Sequence, residues 1–257
     1  MSEYSLSEIQ SNHSNEIISN NDSTNSILLS SLNTQNPFEI QNKSAPDKKY
    51  KIILVGNAGV GKTCLILKSL NNKFIFNNPS TLGFEYYNIL AHFPNKKILL
   101  QTWDTCGQEN FKSIVSTFYK RAKLAILIYS IDDEISFNDI NFWLNEIKKK
   151  SNDDIKLILI GNKTDLNNRK ITKQIAENYA KKNGFDFFLE TSAKEKNTEE
   201  IFIKAAELLY EYDIKKEKEL KEKGEEYIDY ENENNFYLNE EEEYYKDDVA
   251  KSCGNCF

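Results

Sequence analysis

The chain has 257 residues, a formal net charge of −7, 39 % hydrophobic and 12 % aromatic residues, and only nine glycines and four prolines. That length holds one large domain or two small ones, and the negative balance argues against nucleic acid as a partner, because phosphate contacts need a basic face. No run approaches the ~18 apolar residues of a transmembrane helix. The absence of Lys and Arg before Lys43 removes the basic start of a signal peptide, so the protein is expected to stay on the cytosolic side.

Residues 1–47 are rich in Ser and Asn, carry apolar islands such as Ile27-Leu28-Leu29 and show no sustained period. They read as a disordered extension, or alternatively as a short docking helix that folds on a partner. Tyr50–Val55 then reads as a buried strand running into Gly56-Asn57-Ala58-Gly59-Val60-Gly61-Lys62-Thr63, which fits G-x-x-x-x-G-K-[ST]. Four fixed positions would match by chance about 0.003 times in such a chain, before the flanking strand and helix are demanded. The pattern is that of a phosphate-binding loop. Its glycines let successive N–H groups turn inward to phosphate oxygens, and the helix from Gly61 to about Asn71 adds the positive end of its dipole. Lys62 would reach the β- and γ-phosphates and the Thr63 hydroxyl would bind Mg²⁺.

A polar loop, 77–83, leads to an alternating run, Phe84–Phe93, a turn at Pro94-Asn95-Lys96 and a half-buried strand, Ile98–Trp103, which together predict a hairpin. Leu124–Tyr129, Lys156–Ile160 and Phe185–Leu189 read as strands buried on both faces. Helical spacing joins Ile140, Phe142, Trp143, Leu144 and Ile147, and again Ile175, Ala176, Tyr179 and Ala180. A last helix from Thr198 to about Tyr212 buries Ile201, Phe202, Ala205, Leu208 and Leu209. The alternation predicts an α/β fold, a mainly parallel sheet covered by helices on both faces, with its ligand at the carboxyl ends of the strands. The domain is expected over 48–214.

Three strands end in residues suited to that ligand. After Trp103, Asp104 can hold Mg²⁺ through water, the Gly107 N–H can meet a γ-phosphate oxygen, and Gln108 can orient an attacking water. Another strand ends in Gly161-Asn162-Lys163-Thr164-Asp165, a third in Glu190-Thr191-Ser192-Ala193-Lys194. The Asp165 carboxylate can accept from N1–H and the 2-amino group of guanine, donors that adenine lacks, and a site of this kind discriminates by about 10⁴ or more. The stems of Lys163 and Lys194 suit the two faces of the base, and the Ala193 N–H, beside Ser192, suits the guanine oxygen.

The series GNAGVGKT, STLGFEY, WDTCGQENF, GNKTDL and ETSAK resembles the small GTPases of the Ras superfamily, most closely the Rab branch, over residues 50 to about 212. Branch features are Leu100-Gln101-Thr102-Trp103, the stretch from Asn110 to Tyr119, and Ser136-Phe137 leading to Trp143-Leu144. The resemblance implies six strands, the second antiparallel; Thr81 as the switch threonine that joins Thr63 on Mg²⁺; Phe74 packed on guanine; and cycling of a monomer between GTP and GDP. It further implies effectors, an exchange factor, an activating protein that supplies an arginine, and escort and dissociation-inhibitor proteins. Ala58 stands where Rabs more often have Ser and Cys106 where Ala is usual, and both are expected to crowd the γ-phosphate. The alternatives are therefore a nucleotide-locked scaffold, or a Ras- or Rho-like signalling GTPase; Gln108 and Thr81 favour the enzyme.

The tail, 215–257, opens with a charged helix-like run, Lys215–Lys223, continues through acidic Glu240-Glu241-Glu242-Glu243 and ends Ser252-Cys253-Gly254-Asn255-Cys256-Phe257. The C-a-a-X signal needs Cys where Gly254 stands. Cys253 and Cys256 instead look like the paired prenylation sites of Rabs. The rival readings are an inert tail or redox or metal use, the latter short of a helix start or of further ligands. Two lipids would anchor the chain to the cytoplasmic face of an endomembrane or vesicle, with a cytosolic pool, where one lipid anchors only marginally.

Overall fold

The computed structural model describes residues 45–224, apart from 77–78, 82, 94, 108–118, 152–153 and 196–197. In chain order it contains β1 (Lys48–Val55), α1 (Lys62–Asn71), β2 (Phe84–Phe93), β3 (Lys96–Thr105), β4 (Leu124–Ser130), α2 (Glu134–Asn138), α3 (Ile140–Lys150), β5 (Lys156–Asn162), α4 (Lys173–Asn183), β6 (Phe187–Glu190) and α5 (Glu199–Lys223). The six strands lie in the order β2-β3-β1-β4-β5-β6, with β2 antiparallel to β3 and all other neighbours parallel, which gives the mainly parallel sheet and the β2–β3 hairpin that the sequence pattern predicts. From β1 the chain moves outward to β3 on one side and to β4 on the other. The crevice at the carboxyl end of β1, where the phosphate loop sits, is therefore the topological switch point at which such sheets bind ligands.

Alternation along the strands sorts the core into two layers. Ile52, Leu54, Ile126 and Ile158 face α1 and α5, meeting Leu65, Ile66, Phe202 and Ala205. Ile53, Val55, Leu127 and Leu159 face α3 and α4, meeting Trp143, Ile147, Ala176 and Ala180. Each such side chain contributes about 1.5–3 kcal/mol by burial, and a one-residue slip would turn a whole set to the wrong layer, so the register is firmly specified.

Three elements differ from expectation. β6 is half-buried throughout rather than buried on both faces, because it is an edge strand with only β5 beside it. Phe185 precedes it, its N–H bonded to Ala180 O at 3.0 Å. Ahead of α3 stands the short α2, capped by Asp133, whose Oδ1 accepts from Ile135 N–H at 3.0 Å and Ser136 N–H at 3.3 Å. On α4, Ile175 is 51 % exposed despite its helical spacing, and Ala176 and Ala180 form the buried face.

The last helix does not stop near Tyr212. It runs for 25 residues in all, Glu199–Lys223, joining the predicted helix to the charged run. No Gly or Pro interrupts it before Gly224, which caps it in the left-handed region at φ 74°. Asp213 accepts from Tyr50 Oη at 2.7 Å and lies 3.6 Å from Lys48 Nζ. Tyr212 donates to Asp154, with Lys216 Nζ 3.3 Å away, so the helix is fastened where β1 and β5 begin. No helix among the described residues is long and apolar enough to cross a membrane.

Candidate functional site

Backbone geometry shapes the phosphate loop. Gly56, Gly59 and Gly61 hold φ of 146°, 76° and 96°, which L side chains rarely adopt. A Cβ on Gly61 would also come within 2.4 Å of Asn162 Nδ2, so both conformation and space demand glycine there. Gly107 approaches just as closely: its carbonyl accepts from Ala58 N–H at 3.1 Å, and a Cβ on it would stand 2.3 Å from Ala58 N.

Lys62, 6 % exposed, folds back over the loop and donates to the carbonyls of Gly56 and Asn57, each at 2.9 Å. Burial brings its pKa down to about 8 against the opposing pull of Asp104. Next to it, Thr63 Oγ1 lies 2.9 Å from Thr81 Oγ1 and donates to Asp104 Oδ2 at 2.5 Å, and Thr81 Oγ1 reaches the same oxygen at 3.3 Å. Asp104 is fully buried, and burial pushes its pKa up to about 6 against the Thr63 hydrogen bond and Lys62. Its Oδ1 is buried without a hydrogen-bond partner among the described residues. A buried carboxylate oxygen without a donor is costly unless a cation or donor meets it.

Lys62, Thr63 and Thr81 border a cavity of about 240 Å³ that is lined also by Ala58, Gly59, Gly61 and Cys64, by Pro79 and Ser80, and by Thr105 and Gly107. It is smaller than the ~300–1,000 Å³ of pockets that enclose drug-sized ligands, and suits phosphates rather than a whole nucleotide. Cys106, expected to crowd the γ-phosphate together with Ala58, does not line it. The Cys106 side chain, 2 % exposed, turns into the α3–α4 core layer, leaving Ala58 alone at the cavity wall.

Asn162, 1 % exposed at the end of β5, ties this loop to a second one. Its Nδ2 donates to Val60 O at 2.8 Å, and its Oδ1 accepts from Ala193 N–H at 3.2 Å. The Ala193 N–H, expected to face guanine, is thus engaged by Asn162, since a buried amide needs partners at both ends. Asp165 Oδ1 accepts from Ser192 Oγ at 2.6 Å, and its Oδ2 lies 4.0 Å from Lys194 Nζ. Ser192 Oγ in turn accepts from the N–H groups of Lys194 and Glu195, each at 3.2 Å. Lys163 takes the left-handed conformation at φ 68°, and the loop is pinned by Thr164 N–H to Thr191 O at 3.1 Å. Phe74 packs against the core cluster that includes Ala193 and meets Phe76 edge to face at 4.9 Å.

One connection had no signal in the sequence. Asn57, in the phosphate loop, donates through Nδ2 to Asp139 Oδ2 at 2.7 Å, and its Oδ1 accepts from Trp143 Nε1 at 2.9 Å. Both partners belong to the start of α3, more than 80 positions away, and Trp143 reads from the sequence only as a core residue. Gln108, Cys253 and Cys256 lie outside the described residues.

The sequence profile described as the Ras family matches residues 51–211. The GTP-binding protein YPTM1 of Zea mays is 40 % identical over 159 residues, covering 61 % of this chain and 76 % of the relative. The Ras-related protein SEC4 of Saccharomyces cerevisiae is 36 % identical over 173 residues, 66 % of this chain and 79 % of the relative. The Ras-related protein Rab-13 of Bos taurus is 41 % identical over 160 residues, 62 % of this chain and 78 % of the relative. A profile that spans every strand and loop of the site, and Rab-type relatives matched over three quarters of their length, leave one conclusion: the chain belongs to the Ras family and is a Rab-like small GTPase, a GTP hydrolase.

Proposed function

We propose that this GTPase is a membrane-anchored switch of vesicle trafficking, bound to the cytoplasmic face of an endomembrane with a cytosolic pool. The reading is carried by the meeting of a lysine-bearing phosphate loop, an oxygen cluster and an aspartate pocket at the carboxyl ends of the strands. Lys62 and the N–H groups of residues 56–63, with Gly107, hold the phosphates. Asp165, positioned by Ser192, accepts both guanine donors, while Lys163, Lys194 and Phe74 flank the base. The guanine oxygen would share the Ala193 N–H with Asn162 Oδ1, whose 3.2 Å bond is at the long end of the normal range.

Thr63, Thr81 and Asp104 fit Mg²⁺, which prefers hard oxygen ligands, and Asp104 Oδ1 is the buried oxygen that such an ion would satisfy. The bound ion would supply positive charge to the β- and γ-phosphate oxygens. Gln108 orients the attacking water. An activating protein adds an arginine, because the chain places none in the loop of residues 77–83. A γ-phosphate would add a partner to Thr81 beside Thr63 and Asp104, so its loop would present one surface to effectors in the GTP state and another after hydrolysis. Prenyl groups on Cys253 and Cys256 fix the protein to the membrane, and an exchange factor, an escort and a dissociation inhibitor act on the cycle.

Imaging of the tagged full-length chain beside a Cys253→Ser/Cys256→Ser variant tests this reading. The parent is expected on a discrete membrane compartment and the variant throughout the cytosol, with equal GTP binding. Identical distributions would rule out the anchor.

A further inference from the structure

Charge is divided unevenly along the chain. The span 45–224 holds 30 Lys and Arg against 24 Asp and Glu, a net +6, whereas 225–257 holds 11 Asp and Glu against two Lys, a net −9. The folded span gathers lysines at the end of the sheet opposite the nucleotide site. Lys48, Lys96 and Lys156 open β1, β3 and β5, and Lys123 stands one residue before β4. The last turns of α3 and α4, which lead into the starts of β5 and β6, add Lys148, Lys149, Lys150, Lys181 and Lys182. The two helix ends adjoin, since Lys148 Nζ lies 3.5 Å from Asn183 O.

Four described carboxylates at this end are already committed. Asp186 pairs with Lys156 at 3.1 Å, Asp154 with Lys216 and Tyr212, Glu146 with Lys150, and Glu177 with Lys181 at 2.8 Å. Lys148, Lys149 and Lys182, all exposed, have no carboxylate partner among the described residues. The chain runs out past this same end of the sheet from α5, which packs on the opposite face from α3 and α4. Helix α5 crosses this end of the sheet, its Tyr210 ring under Lys96 Nζ at 3.2 Å and its Asp213 on Tyr50, and releases the chain at Gly224. Glu240 follows 16 residues later, and 16 residues can span up to about 50 Å. A tethered segment meets a nearby surface at an effective concentration on the order of millimolar, enough for pairings too weak to persist between separate molecules.

We propose that the acidic segment around Glu240–Glu243 docks, within the same chain, on the lysine face formed by the ends of α3 and α4. The docked tail covers the basic end of the domain and brings the C-terminal cysteines alongside it rather than leaving them at full reach. The contact is electrostatic, so salt weakens it as the screening length falls from about 10 Å at 0.1 M to about 3 Å at 1 M.

The test uses the full-length GDP-bound protein as an equal mixture of ¹⁵N-labelled and unlabelled chains, treated with a carbodiimide that joins touching carboxylates and amines. Peptide mapping is expected to find links within one chain, from residues 240–248 to Lys148, Lys149 and Lys182, falling about tenfold between 0.1 M and 1 M salt. Small-angle scattering is expected to give a larger radius of gyration for the Lys148→Gln/Lys149→Gln/Lys182→Gln variant than for the parent at 0.1 M salt, and equal radii at 1 M. Links between labelled and unlabelled chains would assign the face to a second copy and overturn the proposal. Links spread evenly over exposed lysines, or equal radii at low salt, would overturn it too.

Discussion

Base selectivity, on the proposed reading, resides in one carboxylate. The Asp165 side chain is 9 % exposed, and one oxygen already accepts from Ser192 Oγ at 2.6 Å. Its remaining lone pairs need donors, and a ligand that brings none leaves a nearly buried charge unpaired, which costs far more than a lost contact in water. Asp165→Asn should therefore lower preference for GTP over XTP by about 10⁴, because xanthine carries an acceptor where guanine carries the 2-amino donor and an amide can serve it. Competition among GTP, XTP and ATP for the variant checks this; an unchanged preference for GTP would show that the base is read elsewhere.

Helices act on the site by holding loops. Helix α3 fixes the phosphate loop through Trp143 and Asp139, which occupy both ends of the Asn57 amide. Trp143→Phe keeps an aromatic ring in the core but leaves Asn57 Oδ1 without its donor. GDP release is expected to rise about fivefold, the rate equivalent of about 1 kcal/mol, as read by dissociation of a fluorescent GDP. Helix α5 is held differently. Asp154 has its pKa lowered from 3.8 chiefly by the Tyr212 hydroxyl and then by Lys216, so the folded state favours its charged form. Its contribution to stability is present above the ordinary value and is lost as pH falls through the lowered one. Asp154→Asn should cost about 1 kcal/mol at pH 7 and pH 5, with the gap from the parent narrowing as pH falls below the ordinary carboxylate value, as compared by denaturant midpoints. A gap that is already absent at pH 7 would mean that the carboxylate is not the group at work. The same contrast explains what could be read in advance. Lys62, Thr63, Asn162 and Asp165 were legible because their spacing is set within one loop, and the sheet because burial on two faces writes continuous apolar runs. The Asn57–Trp143 bond, the Asn162–Ala193 bond and the fastening of α5 join residues remote in sequence, where no period links the partners. The edge position of β6 and the inward turn of Cys106 likewise follow from neighbours in space.

For the molecule as a whole, turnover is set by what the chain lacks. Its two arginines are Arg121 and Arg169. Arg169 is held by both oxygens of Glu190, at 2.7 and 3.0 Å, and Arg121 precedes β4 at the end of the sheet away from the cavity. Neither is poised to neutralise charge on a γ-phosphoryl group, a contribution worth about 10³–10⁵ in rate in phosphoryl transfer. Single-turnover hydrolysis of pre-bound GTP by the isolated full-length protein should proceed at or below about 10⁻³ s⁻¹; a rate above about 10⁻² s⁻¹ would reveal an internal catalytic group. On the proposed reading the two ends of the nucleotide site are coupled through the Asn162 amide, which grips Val60 with one end and Ala193 with the other. Through it the protein meets GDP as a bivalent guest. Guanosine and pyrophosphate offered separately would each bind feebly, and their separate affinities would not add up to that of the joined ligand. The nucleotide is then expected not to leave by halves, since slackening at one end loosens the amide that shapes the other, and such a bound state would work as a timer.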